Sequence, residues 1–510
     1  MEPTKRRVGY GTAIGYGVTD LFGGGAFALI AVWLLYFYTT YCGLSMVEAG
    51  SIFFIARIAD AIASPIMGYI TDQFGNTRLG RRFGRRRFFL LIGAPLMFLY
   101  ALVWVQDVNY WYYLGTYLSI ELLSAMVMVP WETLAAEMTN RFSERTRMQA
   151  IRLSFSKIGS VLSASLPGVM IYFFGGDSAL TYTYTGIVFS IIFFFAVLTS
   201  YFSTWEAKDT DHEFNERNFG PKRSVFHHLL NLFKEQVSTF YIRAFRLHMF
   251  IYICSFTAMD VFRAVFVYFV VYLLLQDASA ASGYLTITTV VAVPSTLGFM
   301  FLLDKLNVTP AAGLRLSYLC IMATLAILGL NYVYDWHLTS LVISAGFVVL
   351  GIGWAGLNFI PWNIYSFIPD IDEIVTRRRR EGAFAGAMVL VRKSTIAIAV
   401  MIVGLILEEF GFTKGTDIQP EEALDAIAVL MVLGTGILLL MSFVATFKFN
   451  LTRHTHKVLL KEIARLKLGG ELEDCPEEAQ DVIKDLTGYH YLDVWKDLSV
   501  DQNELVTKQA

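Results

Sequence analysis

The sequence predicts an all-α membrane protein, with twelve transmembrane helices in two pseudo-symmetric six-helix bundles. Three observations carry this expectation. The 510-residue chain is 55% hydrophobic and 16% charged, with a mean hydropathy of +0.52, whereas soluble chains are about 25% charged. Its apolar residues gather into runs near the roughly 20 residues that cross a bilayer. Its Lys and Arg residues crowd into every second loop. This composition excludes a soluble multidomain enzyme, a disordered chain and a disulfide scaffold. With 41 basic and 43 acidic residues, net charge points to no nucleic-acid partner. Cys42, Cys254, Cys320 and Cys475 are too scattered for a metal site.

The first six runs lie near 11–39, 46–71, 88–106, 109–136, 153–174 and 181–202. The second six lie near 246–275, 282–303, 310–333, 338–366, 383–407 and 424–448. Gly23-Gly24-Gly25 interrupts the first run and no small-residue cleavage site follows, so it reads as a span rather than a signal peptide. The expected organisation is an N-terminal bundle over 1–202, a linker over 203–245, a C-terminal bundle over 246–450 and a tail over 451–510. The linker carries an amphipathic stretch of Val225, Leu229, Leu230, Phe233 and Val237. The tail is helical by its pattern of Val458, Leu459, Ile463 and Leu466, and is expected to be soluble.

Orientation follows from the loops. Arg78, Arg81, Arg82 and Arg85 to Arg87 follow the second run; Arg141, Arg145 and Arg147 follow the fourth; Arg377 to Arg380 follow the tenth. The alternate loops contain only Lys414. Both termini are therefore expected in the cytoplasm, which requires an even number of crossings.

The halves also repeat. Asp20 in the first span matches Asp260 in the seventh, and Pro130-Trp131-Glu132 matches Pro361-Trp362-Asn363. Each Pro-Trp precedes an arginine-rich loop and then a helix bearing a lysine, Lys157 or Lys393. Two six-helix bundles in parallel repeat are the architecture of a major-facilitator transporter, with substrate bound at the midplane between them.

Longer stretches carry a resemblance. Val129 to Thr139, with Glu144-Arg145-Thr146-Arg147 and Arg152 after it, resembles the signature of the glycoside–pentoside–hexuronide:cation symporters. So do Arg57-Ile58-Ala59-Asp60-Ala61 with Pro65 to Gly68, and Asp370 to Glu373 with Arg378 to Arg380 and Arg392-Lys393. The resemblance covers about residues 8–450 and implies a multi-pass transporter, not an enzyme, in a bacterial cytoplasmic (inner) membrane. It implies a sugar and a monovalent cation as partners, with no bound cofactor. The aspartate at position 20 would then hydrogen-bond sugar hydroxyls, and Asp60 would head the cation site. That family uses two aspartates four residues apart; here the second position is Ser64. Loss of a carboxylate favours a proton over sodium as the coupling ion.

Ionisable residues inside a bilayer cost about 2.5–3.5 kcal/mol each on insertion scales, so they are candidates by default. The expected substrate residues are Asp20, Trp131, Arg152, Arg263 and Lys393, with Trp131 as a stacking surface for a pyranose and Trp362 its pseudo-symmetric partner. Asp60 and Ser64 are the expected cation-coupling residues. Asp72, Arg145 and Arg147 are expected to form gating ion pairs, while the same arginines also set topology. The intramembrane cations Arg57, Arg152, Lys157, Arg263, Arg392 and Lys393 outnumber the acids Asp20, Asp60, Glu121, Glu132 and Asp260. A surplus cation would suit a uronic-acid-containing sugar, such as an oligogalacturonide, because arginine binds carboxylates bidentately. A neutral glycoside or pentoside, a lysolipid, and a membrane sugar sensor are the alternatives.

Overall fold

The structure, a computed structural model, describes residues 7–139, 141–174, 178–206, 234–378, 380–416 and 418–495, the side chains of Asp72 and Phe142 apart. Among them, ten helices are long and apolar enough to cross a membrane. Six helices make the first half: α1 (Tyr10–Thr40), α2 (Met46–Phe74), α3 (Arg87–Leu102), α4 (Tyr110–Met138), α5 (Ser143–Phe174) and α6 (Ala179–Ser203). The second half comprises α7 (Arg243–Leu273), α8 (Ala278–Asp304), α9 (Pro310–Val333), α10 (Ser340–Tyr365), α11 (Glu381–Glu409) and α12 (Glu421–Lys448). The two beyond the ten are α2, which is long but carries Glu48, Arg57, Asp60 and Asp72, and α3, which is short and broken after Leu96. Local sequence sets several starts. Ser45 and Glu48 form a reciprocal cap on α2, and Thr309 caps α9 with Pro310 in its first turn.

The repeat is visible in the backbone. A π-helical turn interrupts α1 at Ile30–Leu34, and another closes α7 at Phe269–Leu273. The bundles meet along α2 against α11 and α5 against α8. At the end bearing the short loops they are tied together. Val47 N donates to Glu408 Oε2 at 2.6 Å, Lys414 Nζ to the Gly43 carbonyl at 2.6 Å, and the Thr39 and Tyr268 hydroxyls lie 2.6 Å apart. At the arginine-rich end, ion pairs run within each bundle. Arg85 and Arg86 hold Glu137 at 2.6 Å each, and Arg380 holds Asp372 at 2.6 Å.

The tail is not free. Its helices α13 (Arg453–Lys467) and α14 (Glu477–Thr487) bury Leu459, Ile463, Leu466, Ile483 and Leu486. They dock on the short helix Ile368–Thr376 between α10 and α11, through His456 to Asp370 (2.9 Å) and Lys467 to Glu373 (2.6 Å). Within the tail, burial works against the Glu462 carboxylate, but hydrogen bonds from Arg465 and Tyr491 hold it below the ordinary glutamate range. Of the amphipathic linker stretch, Val225, Leu229, Leu230 and Phe233 lie outside the described residues; Val237 is exposed.

Candidate functional site

The glycine run of α1 decides how α5 sits. A Cβ on Gly159 would fall 2.9 Å from Gly25 N, so the two backbones touch where neither side has a side chain. Ser163 donates to the Gly25 carbonyl at 2.6 Å and reinforces the contact. The run thus serves helix packing. With this face of α5 against α1, Lys157 lines a cavity between the bundles.

That cavity has a volume of about 190 Å³ and is built from α1, α5, α7, α8 and α10. Its wall includes Lys157, Arg263, Asn358, Thr289, Trp33 and Trp354. Among the described residues, no Asp or Glu lines it. Among the described residues, neither Lys157 nor Arg263 has a carboxylate partner within salt-bridge distance. A pair of cations, hydroxyls, an amide and indole rings is a donor-rich pocket for an oxygen-rich anion.

The other intramembrane charges neutralise one another. Arg152 donates from Nε to Asp20 at 3.0 Å and from Nη2 to Glu132 at 2.6 Å. Arg57 reaches Glu121 at 3.3 Å, both well buried. Arg392 grips Asp260 with both Nη atoms, one at 2.7 Å. Lys393 crosses from α11 to α2, with Nζ 2.7 Å from Asp60 Oδ2 and 2.7 Å from Ser64 Oγ, while Ser64 also donates to Asp60 at 3.1 Å. Because Arg152 takes two carboxylates, two cations are left over, and both face the same cavity.

Of the five expected substrate residues, only Arg263 lines the cavity. Asp20 is 5% exposed and held by Arg152 rather than open to sugar hydroxyls. Trp131 is 0% exposed, stacked on Tyr16 at 4.9 Å and covered by the Arg152 guanidinium at 4.6 Å, so neither face is free for a pyranose in this conformation. Its Nε1 donates to the Tyr16 carbonyl. Trp362 packs edge-on against Tyr252 at the helix end. Lys393 joins Asp60 and Ser64 instead of the cavity. Arg57, one helical turn before Asp60, turns to Glu121 instead. The gating expectation for Asp72 falls on a side chain outside the described residues. Arg145 donates to the Thr139 and Ala136 carbonyls, and Arg147 donates to the Val8 carbonyl and lies over Tyr10, all within the N-terminal bundle. Sequence reasoning missed Trp33, Trp354 and Asn358.

An all-helical protein of two repeated bundles around a polar cavity is a multi-pass membrane transporter. The chain belongs to the MFS/sugar transport protein family, whose model matches residues 15–453, and the resemblance to the glycoside–pentoside–hexuronide:cation symporters is borne out. Among its relatives, an uncharacterised symporter of Synechocystis is 27% identical over 90% of this chain and 97% of its own length. A glucuronide carrier protein homologue of Escherichia coli is 24% identical over 91% of this chain and 97% of its own. A solved bacterial homologue of the lysosomal transporter Spinster, at 13% identity, superposes over 88% of this chain and 97% of its own with a TM-score of 0.58, which is a likeness of fold. The chain is a transporter, not an enzyme.

Proposed function

We propose that the protein imports an anionic sugar, a uronic-acid glycoside, together with a proton by alternating access. The observation that carries this reading is the cavity wall, where Lys157 and Arg263 stand without acidic partners. A carboxylate between them would receive the bidentate arginine fork and an ammonium at once. A pocket of about 190 Å³ is below the roughly 300–1,000 Å³ of sites for drug-sized ligands. That favours a substrate of one or two sugar rings over a long oligogalacturonide. The name of the glucuronide carrier homologue points in the same direction.

Proton coupling is favoured over sodium because the Lys393 ammonium already fills the place between Asp60 and Ser64. The Lys and Arg distribution supports a cytoplasmic place for both termini. The ties at the short-loop end then close the outer face, and the cavity stands in the inward-facing half of the cycle.

The test is uptake into proteoliposomes of methyl β-D-glucuronide against methyl β-D-glucoside, which share a ring and differ by the carboxylate. Each is run under a proton gradient alone and a sodium gradient alone. Proton-driven uptake of the glucuronide is the expected result; sodium-driven uptake of the glucoside would overturn both halves of the reading.

A further inference from the structure

We infer that Lys157 carries the coupling proton. This rests on the cavity being an anion site and goes on to ask which group changes charge during the cycle. Lys157 on α5 and Arg263 on α7 reach one cavity from opposite bundles. The charged groups on the elements packed against α5 are committed elsewhere. Asp20 on α1 and Glu132 on α4 are held by Arg152, and Asp260, one turn before Arg263, gives both oxygens to Arg392. Helix α6 contains no ionisable Asp, Glu, Lys or Arg, and in α8 Asp304 sits at the far end against Arg453. Asp60, the other candidate carrier, is held by Lys393 and Ser64.

With an anion bound, the two cations are neutralised. Once it leaves, like charges face each other across a gap where screening by water is weak. Arg263 cannot relieve this, because a guanidinium keeps its proton in proteins. Lysine can. Lys157 hands its proton to water on the side where the sugar is released, and the carrier returns with a neutral amine. It then takes a proton from the opposite side as the next anion binds. One proton accompanies each monoanionic sugar, so the cycle moves no net charge. Glucuronide transport is thereby electroneutral.

The decisive measurement is proton uptake on binding. Purified full-length protein is titrated with methyl β-D-glucuronide by calorimetry in buffers of different ionisation enthalpy, across neutral to alkaline pH. The wild type is expected to take up no proton at low pH and about one per sugar bound at high pH. Lys157→Arg keeps a fixed charge, so the glucuronide it binds is bound with no linked proton, and proton-driven accumulation in vesicles is lost. Wild-type binding without proton uptake at any pH would overturn the inference and leave the anion site standing. So would uptake that persists in Lys157→Arg and disappears in Asp60→Asn, which would move the carrier to α2. Failure of the wild type to bind the glucuronide at all would remove the anion site itself, and this inference with it.

Discussion

The two bundles carry the same arginine–aspartate pair and use it differently. Asp20 and Arg152 in the first half stand 240 residues before Asp260 and Arg392 in the second, and both pairs form. In the N-terminal bundle Glu132 adds a second carboxylate to Arg152. At the matching place after the second Pro-Trp the residue is Asn363, and the position matching Gly23 is Arg263. At these two positions the C-terminal bundle has one acid fewer and one base more. Each half leaves one cation on the cavity wall, Lys157 on α5 and Arg263 on α7, but only the N-terminal half joins two acids on a single arginine.

The largest effect expected from this contrast is on stability. Arg152→Gln would leave two carboxylates without their cation, at a cost of about 3–5 kcal/mol, read as a fall in Tm in detergent. Arg392→Gln leaves one acid and is expected to lower Tm less; an equal fall would mean that Glu132 adds nothing. Next in size, Arg263→Gln is expected to weaken methyl β-D-glucuronide binding by about 2 kcal/mol, roughly thirtyfold, while sparing methyl β-D-glucoside. Equal loss for both sugars would make Arg263 structural. Smaller again, Asn363→Glu would rebuild the missing second acid beside Arg392 and lower glucuronide affinity by about 0.5–1 kcal/mol, measured by the same titration.

The smallest expected effect lies outside both bundles, in the docked tail. The Glu462 carboxyl is held below its ordinary value of about 4.3 by Arg465 and Tyr491. A lowered folded value stabilises the tail above the ordinary value, and that stabilisation is lost as pH falls through the folded one. Hydrogen-exchange protection factors in α13 and α14, corrected for the intrinsic pH dependence of exchange, should therefore be flat near neutrality and fall below about pH 4. Glu462→Gln should remove that acid step.

The fold was legible because it depends on run length and on loop charge, both of which are local. The surplus of intramembrane cations could also be counted. Which cations were surplus could not, because one arginine satisfying two carboxylates is a matter of geometry. The sequence pairs Lys157 with Lys393 by order, yet in space the equivalents are Arg152 and Arg392, and the lysines serve different sites. Trp131 and Trp362 drew attention through their shared motif, but Trp131 is buried inside the N-terminal bundle and Trp362 stands near the end of α10. The signal for Trp354 was its place in mid-span, where tryptophan is not an interfacial anchor. Nothing in the sequence separates Asn358 from other polar residues of α10.

The π-helical turn in α12, at Leu430–Gly434, has no counterpart in the unbroken helix α6. The π-helical turns at Ile30–Leu34 in α1 and Phe269–Leu273 in α7 fix where the residues beyond them point. Such a turn holds one residue more than an α-helical turn, so the side chains after it fall about 100° from where a 3.6-residue count would put them. In α1 those residues are Leu35–Thr40, and among them Thr39 meets the Tyr268 hydroxyl of the other bundle.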